Sequence, residues 1–216
     1  MELRSLSPVL GGLEAEIQLV GGVKLTNIVF RDARGASVNL PAVAEPTIRR
    51  SLLRILKRNA LCSVATVTAE HRPHINTAYF TYSNELVLYF LSHPDAQHCR
   101  NLARNASVGV TVFSSAQPWG SPGQGVQLFG TCRRATGLHV RQAERLYAKR
   151  FPAYGSWRAS ADKGRTGGEY RFYRLVVNSL KLLDERAIGD AVFTHTAVSR
   201  TRGREVRPRE RRPTRG

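Results

Sequence analysis

The apolar positions of the chain follow a helical period first and a strand period afterwards. Ile48, Leu52, Ile55 and Leu56 recur at i, i+4, i+7 and i+8, with Arg49, Arg50, Arg54 and Lys57 off that stripe, so the spacing predicts an amphipathic helix over 47–58. Thr47 is the expected N-cap and Asn59 the expected end. The runs 61–68, 75–82 and 86–91 are short, rich in Val, Thr, Tyr and Phe, and separated by turn clusters, so they read as strands. Ser83-Asn84 reads as a tight two-residue hairpin. A polar helix near 95–104 and strands at 107–113 and 125–133 follow, the last two joined by a loop holding Pro118, Trp119, Gly120, Pro122 and Gly123. A helix over about 138–150 places Val140, Ala143 and Tyr147 on one face with Leu146 beside it, and Pro152 stops it. Strands at 170–177 and 180–183 complete the set. Closely spaced short strands with few helices, and no strand–helix–strand alternation, predict a mainly β fold: a mostly antiparallel β-barrel with capping helices.

Composition narrows the function classes. The chain of 216 residues is 42% hydrophobic and 23% charged, the balance of one globular domain with extensions. No apolar run is long enough for a membrane helix, and the acidic N-terminus shows no secretory pattern, so a cytoplasmic location is expected. The net charge of +17 is uneven: residues 1–45 carry four basic and five acidic side chains, whereas 199–216 carry eight arginines against two glutamates. That Arg/Pro/Gly tail has almost nothing to bury, so 196–216 is expected to be a disordered end, with nucleic acid the lesser reading of its charge. Residues 1–45 are an N-terminal extension, either a small β appendage or a segment upstream of the true start. Cys62, Cys99 and Cys132 are too scattered for a disulfide scaffold or zinc site and read as core thiols. His71 and His74 flank Pro73 in a turn with no completing ligand nearby, and no metal is expected. No Ser-His-Asp or Cys-His order marks a hydrolytic site.

The chemistry concentrates in 75–111. There a strand ends in Ser92-His93-Pro94-Asp95 and passes into a helix, whose free N–H groups and positive dipole end suit a phosphate. Ser92 adds a hydroxyl, and His98 and Arg100 can add positive charge. The alternative, in which Ser92 or Asp95 merely caps the helix and His98 lies at the surface, stands beside it. Trp119 either packs across an interface, shields a cofactor, or anchors its loop on its own barrel.

The order of these parts resembles the pyridoxamine 5′-phosphate oxidase-like FMN-binding split barrels. The helix at 47–58, then LCSVATV, INTAYF, LVLYFLS, HCRNLARNASV and GVTVF, and later GVQLFG, KRFP and EYRFYRLVV, follow the family pattern over about 46–195. The resemblance implies a split β-barrel domain at 46–195 and a homodimer with FMN at the interface. Asn76, Thr77, Ala78, Tyr79, Phe80 and Thr81 would lie along the flavin. Ser92, Gln97 and His98 would meet its phosphate, and Gln127 would reach the ring. It also implies an FMN-dependent oxidoreductase acting on a small molecule. A deazaflavin-dependent reductase, or a non-catalytic flavin or haem carrier, is the alternative on the same fold. Pyridoxamine phosphate oxidases proper carry Arg and Lys at the positions of Asn76 and Thr81 and Arg at Gln97, together with a C-terminal substrate segment absent from 170–195. Vitamin B6 oxidation is therefore set aside.

Overall fold

A six-stranded antiparallel barrel organises the molecule. The computed structural model describes residues 22–161 and 169–200. In chain order the elements are β1 (Val23–Arg31), β2 (Ser37–Val38), α1 (Glu45–Arg58), β3 (Leu61–Val67), β4 (Pro73–Tyr82), β5 (Val87–Ser92), α2 (Gln97–Arg104), β6 (Ser107–Phe113), β7 (Gln124–Arg134), α3 (Leu138–Arg150), α4 (Tyr154–Ala161), β8 (Arg171–Asp184) and β9 (Phe193–Arg200). The sheet runs β2-β1-β9-β8-β5-β4-β3-β6-β7, and the β7–β8 ladder closes β8-β5-β4-β3-β6-β7 into the barrel. Among the described residues, no helix is long and apolar enough to cross a membrane.

β8 explains the split. One edge pairs with β5 through Arg171–Val176 and then with β9 through Ser179–Leu183, while the other pairs with β7 along most of its length. The register slips between Phe129 and Gly130. Gly130 is required there, because a Cβ would sit 2.0 Å from the Val176 carbonyl oxygen. β9 leaves the barrel with β1 and β2 as a side sheet, so the described strands run from Val23 to Arg200. Positions 45 and 195, expected as domain boundaries, both lie within that span: β1 and β2 precede the first, and the second falls inside β9. The remainder of the expected tail lies outside the described residues.

The apolar stripe of α1 plugs the barrel with Ile48, Leu52, Ile55 and Leu56, all 3% exposed or less. The helix starts two residues earlier than expected, with Ala44 as N-cap and Pro46 in the first turn, so Thr47 is not the cap. The expected two-residue hairpin is a four-residue turn closed by the Ser83 N–H to Val87 and the Leu86 N–H to Ser83, with buried Leu86 at φ 52. α3 and α4 cover the outside of β4, β5 and β8, where Ala143, Tyr147, Tyr154, Tyr89 and Phe172 form a second cluster. Arg150 ties α3 to the end of α1 by donating to the Leu56 and Asn59 carbonyls, its guanidinium 4.5 Å from the Phe80 ring centroid. All three cysteines are free and buried, and burial pushes the Cys62 thiol up to about 12, as core thiols require.

Candidate functional site

Strand alternation sorts the expected ligands along β4. Thr77 and Tyr79 point out of the barrel, and Tyr79 is 58% exposed. Asn76 and Ala78 pair with the inward-facing Val64 and Cys62. Phe80 is wholly buried in the core, which removes its side chain from any ligand on the outer face. Thr81 faces outward but lies under α3, its hydroxyl 3.4 Å from the Leu146 carbonyl. Successive strand residues cannot share one face, so six consecutive side chains along a flavin reduce to Thr77 and Tyr79 there.

The ladders carry that face across three more strands. Thr77 partners Ser63, Ser63 partners Thr111, and Thr111 partners Gln127. This gives one polar row across β4, β3, β6 and β7, ending on an exposed Gln127. On either side run exposed apolar groups: Ile75 and Phe129 on one, Leu61, Tyr79 and Phe113 on the other. Gly109 leaves the face open beside the Phe129 ring. Trp119 is fully exposed at the tip of the β6–β7 loop, so it does not anchor that loop on its own barrel. Register thus places Thr77 and Gln127 at the two ends of one row, three strand spacings apart.

Ser92, Gln97 and His98 lie elsewhere, at the barrel mouth under α2. The Ser92 hydroxyl is 2.7 Å from His98 Nε2, and both residues are buried. His98 stacks on His74 at 6.4 Å between ring centroids. Burial, and then His74, hold the His98 imidazole below its ordinary pKa. Both causes favour the neutral imidazole while no anion faces His98. Gln97 donates to Asn101, Asn101 donates to the Thr66 hydroxyl, and Arg100 donates to Gln97 and the Asp95 carbonyl. α2 begins at Gln97 with Ala96 as N-cap, so neither Ser92 nor Asp95 caps it. Arg100 lies at this turn, and Arg171 is the cross-strand partner of Ser92. The sequence marked none of Thr66, Asn101, Ser63 and Thr111 and weighed His74 only as a metal ligand; cross-strand register and the bonds of α2 identify them.

Tested against a flavin mononucleotide, the outer row offers hydrogen-bonding side chains flanked by apolar ones, which suits a flat, polar-edged ring. The turn offers Ser92, the N–H groups that open α2, and Arg100 to a phosphate. The residues fit such a group. Among the described residues, no cluster of three or more His, Cys, Asp or Glu side chains is arranged to hold a metal.

Comparison with known proteins agrees with the fold. The family model described as pyridoxamine 5′-phosphate oxidase matches residues 48–183. A heme binding protein from Mycobacterium smegmatis superposes with a TM-score of 0.54 at 19% identity, over 74% of this chain and 60% of that one. A conserved hypothetical protein from Mycobacterium tuberculosis gives 0.52 at 14% identity, over 67% and 87%. A protein of unknown function from Agrobacterium tumefaciens gives 0.51 at 17%, over 71% and 65%. At these identities the likeness is one of fold. No curated protein matches the chain.

Proposed function

Since the chain belongs to the pyridoxamine 5′-phosphate oxidase family, we propose that it is an FMN-binding split-barrel protein, a homodimer that acts as an oxidoreductase on a small molecule. The outer row Thr77–Ser63–Thr111–Gln127 carries this reading: it lines up polar side chains on a face that otherwise exposes Leu61, Ile75, Tyr79 and Phe129. An exposed apolar face of this kind needs a partner, and a second copy of the chain supplies one while enclosing the ring. A bound flavin supplies electron transfer; the protein positions the ring, hydrogen-bonds its polar edge and excludes water. On this reading Gln127 and Thr77 serve the ring edge, whereas Ser92, the opening N–H groups of α2 and Arg100 serve the phosphate. No acid or base is assigned.

Titration by flavin fluorescence quenching tests the two ends separately. Gln127→Leu should weaken FMN and riboflavin alike by about tenfold, the loss of roughly one hydrogen bond at about 1.4 kcal/mol. Ser92→Ala should weaken FMN alone. Equal binding by wild type and Gln127→Leu would remove the ring from this face. A haem reading is second, favoured by a turn whose His98 is held below its ordinary pKa and by the name of the Mycobacterium smegmatis relative; the visible spectrum of the purified protein, reconstituted with either group, separates the two.

A further inference from the structure

Beyond Gln127 the outer face continues onto β8, β9 and β1. There a shallow groove of about 290 Å³ opens among Asn27, Phe129, Ser179, Lys181 and His195. The ladders set its polar groups in line with the row described above, since Gln127 partners Lys181 and Lys181 partners His195. On β1 the register slips between Thr26 and Val29, so two residues face one on β9. The first of them, Asn27, has φ 52. Asparagine is among the few side chains that tolerate this left-handed backbone, and such bulges re-aim a side chain.

The charge in the groove is one-sided. The Lys181 ammonium sits 4.1 Å from the Phe193 ring centroid. Among the described residues, no carboxylate forms an ion pair with it. The side chain of Arg31, on β1, donates to the Gly35 carbonyl. Burial first, then Lys181 and Arg31, hold the His195 imidazole below its ordinary pKa. A cation without a counter-ion, an amide, a hydroxyl and an imidazole able to take a proton therefore share one concave site.

We propose that this groove binds the oxyanion of a small molecule, a carboxylate or a phosphate monoester, on Lys181 with Asn27 and Ser179 as neutral donors and His195 beside it. Adjacent strands lie about 4.8 Å apart, so a ligand anchored on Lys181 extends over Gln127. Its role as the substrate end of the site rests on the flavin reading above; the binding of the anion does not.

His195 is its own reporter. In the full chain, the His195 resonance is followed against pH while sodium acetate or inorganic phosphate replaces chloride at constant ionic strength, with and without FMN. A bound oxyanion favours the imidazolium, so each oxyanion that binds raises the His195 pKa, and affinity rises as pH falls. Lys181→Met should weaken binding by about tenfold or more, and Lys181→Gln gives a second variant should the first fold poorly. Asn27→Gly, which keeps the left-handed backbone, should weaken it less. A response to acetate alone or phosphate alone identifies the anion. A His195 pKa that ignores both oxyanions, or oxyanion binding that survives intact in both Lys181 variants, overturns the proposal. Oxyanion binding by a protein that takes up no FMN would sink the flavin reading and leave the groove standing; FMN uptake without oxyanion binding would do the reverse.

Discussion

The outer face of β4, β3, β6 and β7 and the turn between β5 and α2 use similar residues and end in opposite states. On the face, Thr77 and Gln127 stand exposed among Leu61, Ile75 and Tyr79. At the turn, Ser92, His98, Gln97, Asn101 and Thr66 bond one another and are largely buried. Open donors beside open apolar surface are groups waiting for a partner. Donors already satisfied by neighbours contribute to holding α2 on the barrel, and a ligand there must offer better bonds than those it displaces. Both regions hold residues expected at a cofactor, yet only the face is free to receive one at no cost to the fold.

The contrast breaks first on adjacent residues of β4. Phe80→Ala should cost about 3–5 kcal/mol of stability, whereas Tyr79→Ala should cost about 1 kcal/mol or less in the monomer; urea denaturation of the two variants checks it. Comparable losses would mean that the face is core. The next largest effect concerns association. Leu61→Glu combined with Tyr79→Glu should raise the dimer dissociation constant at least tenfold, because it buries charge at the interface, and sedimentation at graded concentrations reads this directly. An unchanged dimer would place the interface elsewhere.

The smallest effect sharpens the turn. His98 has a lowered pKa in the folded state, so the unfolded chain binds the proton more readily. The stability it contributes is fully present above the ordinary value of 6.5 and is lost as pH falls through the folded pKa. His98→Gln should therefore flatten the fall in stability between pH 7 and pH 5, by at most about 1.4 kcal/mol per pH unit. His195, also lowered, keeps its own share of the slope. A wild-type profile unaltered by the substitution would mean that His98 is not held neutral by its burial.

What the sequence disclosed and what it hid divide along parity. The barrel strands were legible because their apolar residues keep one phase, as in Cys62, Val64 and Thr66 on β3. β1 stayed undecided, as part of a possible β appendage, because its phase slips: Val23 and Leu25 face inward, then Ile28 and Phe30, with Asn27 absorbing the step. β8 was read as two strands for the same reason. Tyr173, Leu175 and Val177 face the core on one side of the slip, and Leu180 and Leu182 on the other. The site suffered differently. The family order located β4, β5, α2 and β7, but a list of consecutive residues ignores which face each one takes. His98 looked cationic by type; Cys99 and Leu102, both in the core, were the signal that its side of α2 turns inward.

The pairing of β1 with β9 also sets a schedule. β2 meets only Phe30 and Arg31, and the rest of residues 23–31 pairs with residues 193–200, so β1 has no neighbour for the β9 side of its edge while the intervening chain is made. At about 5–20 residues per second that interval is on the order of ten seconds or more. Throughout it, Val23, Leu25 and Ile28 lack the strand they pair beside, and such a segment is prone to pair with whatever edge it meets. Lys24 and Arg31 punctuate that stretch, and charges so placed act as gatekeepers against mispairing. The last strand of the barrel's annex to be synthesised is the one that retires its first.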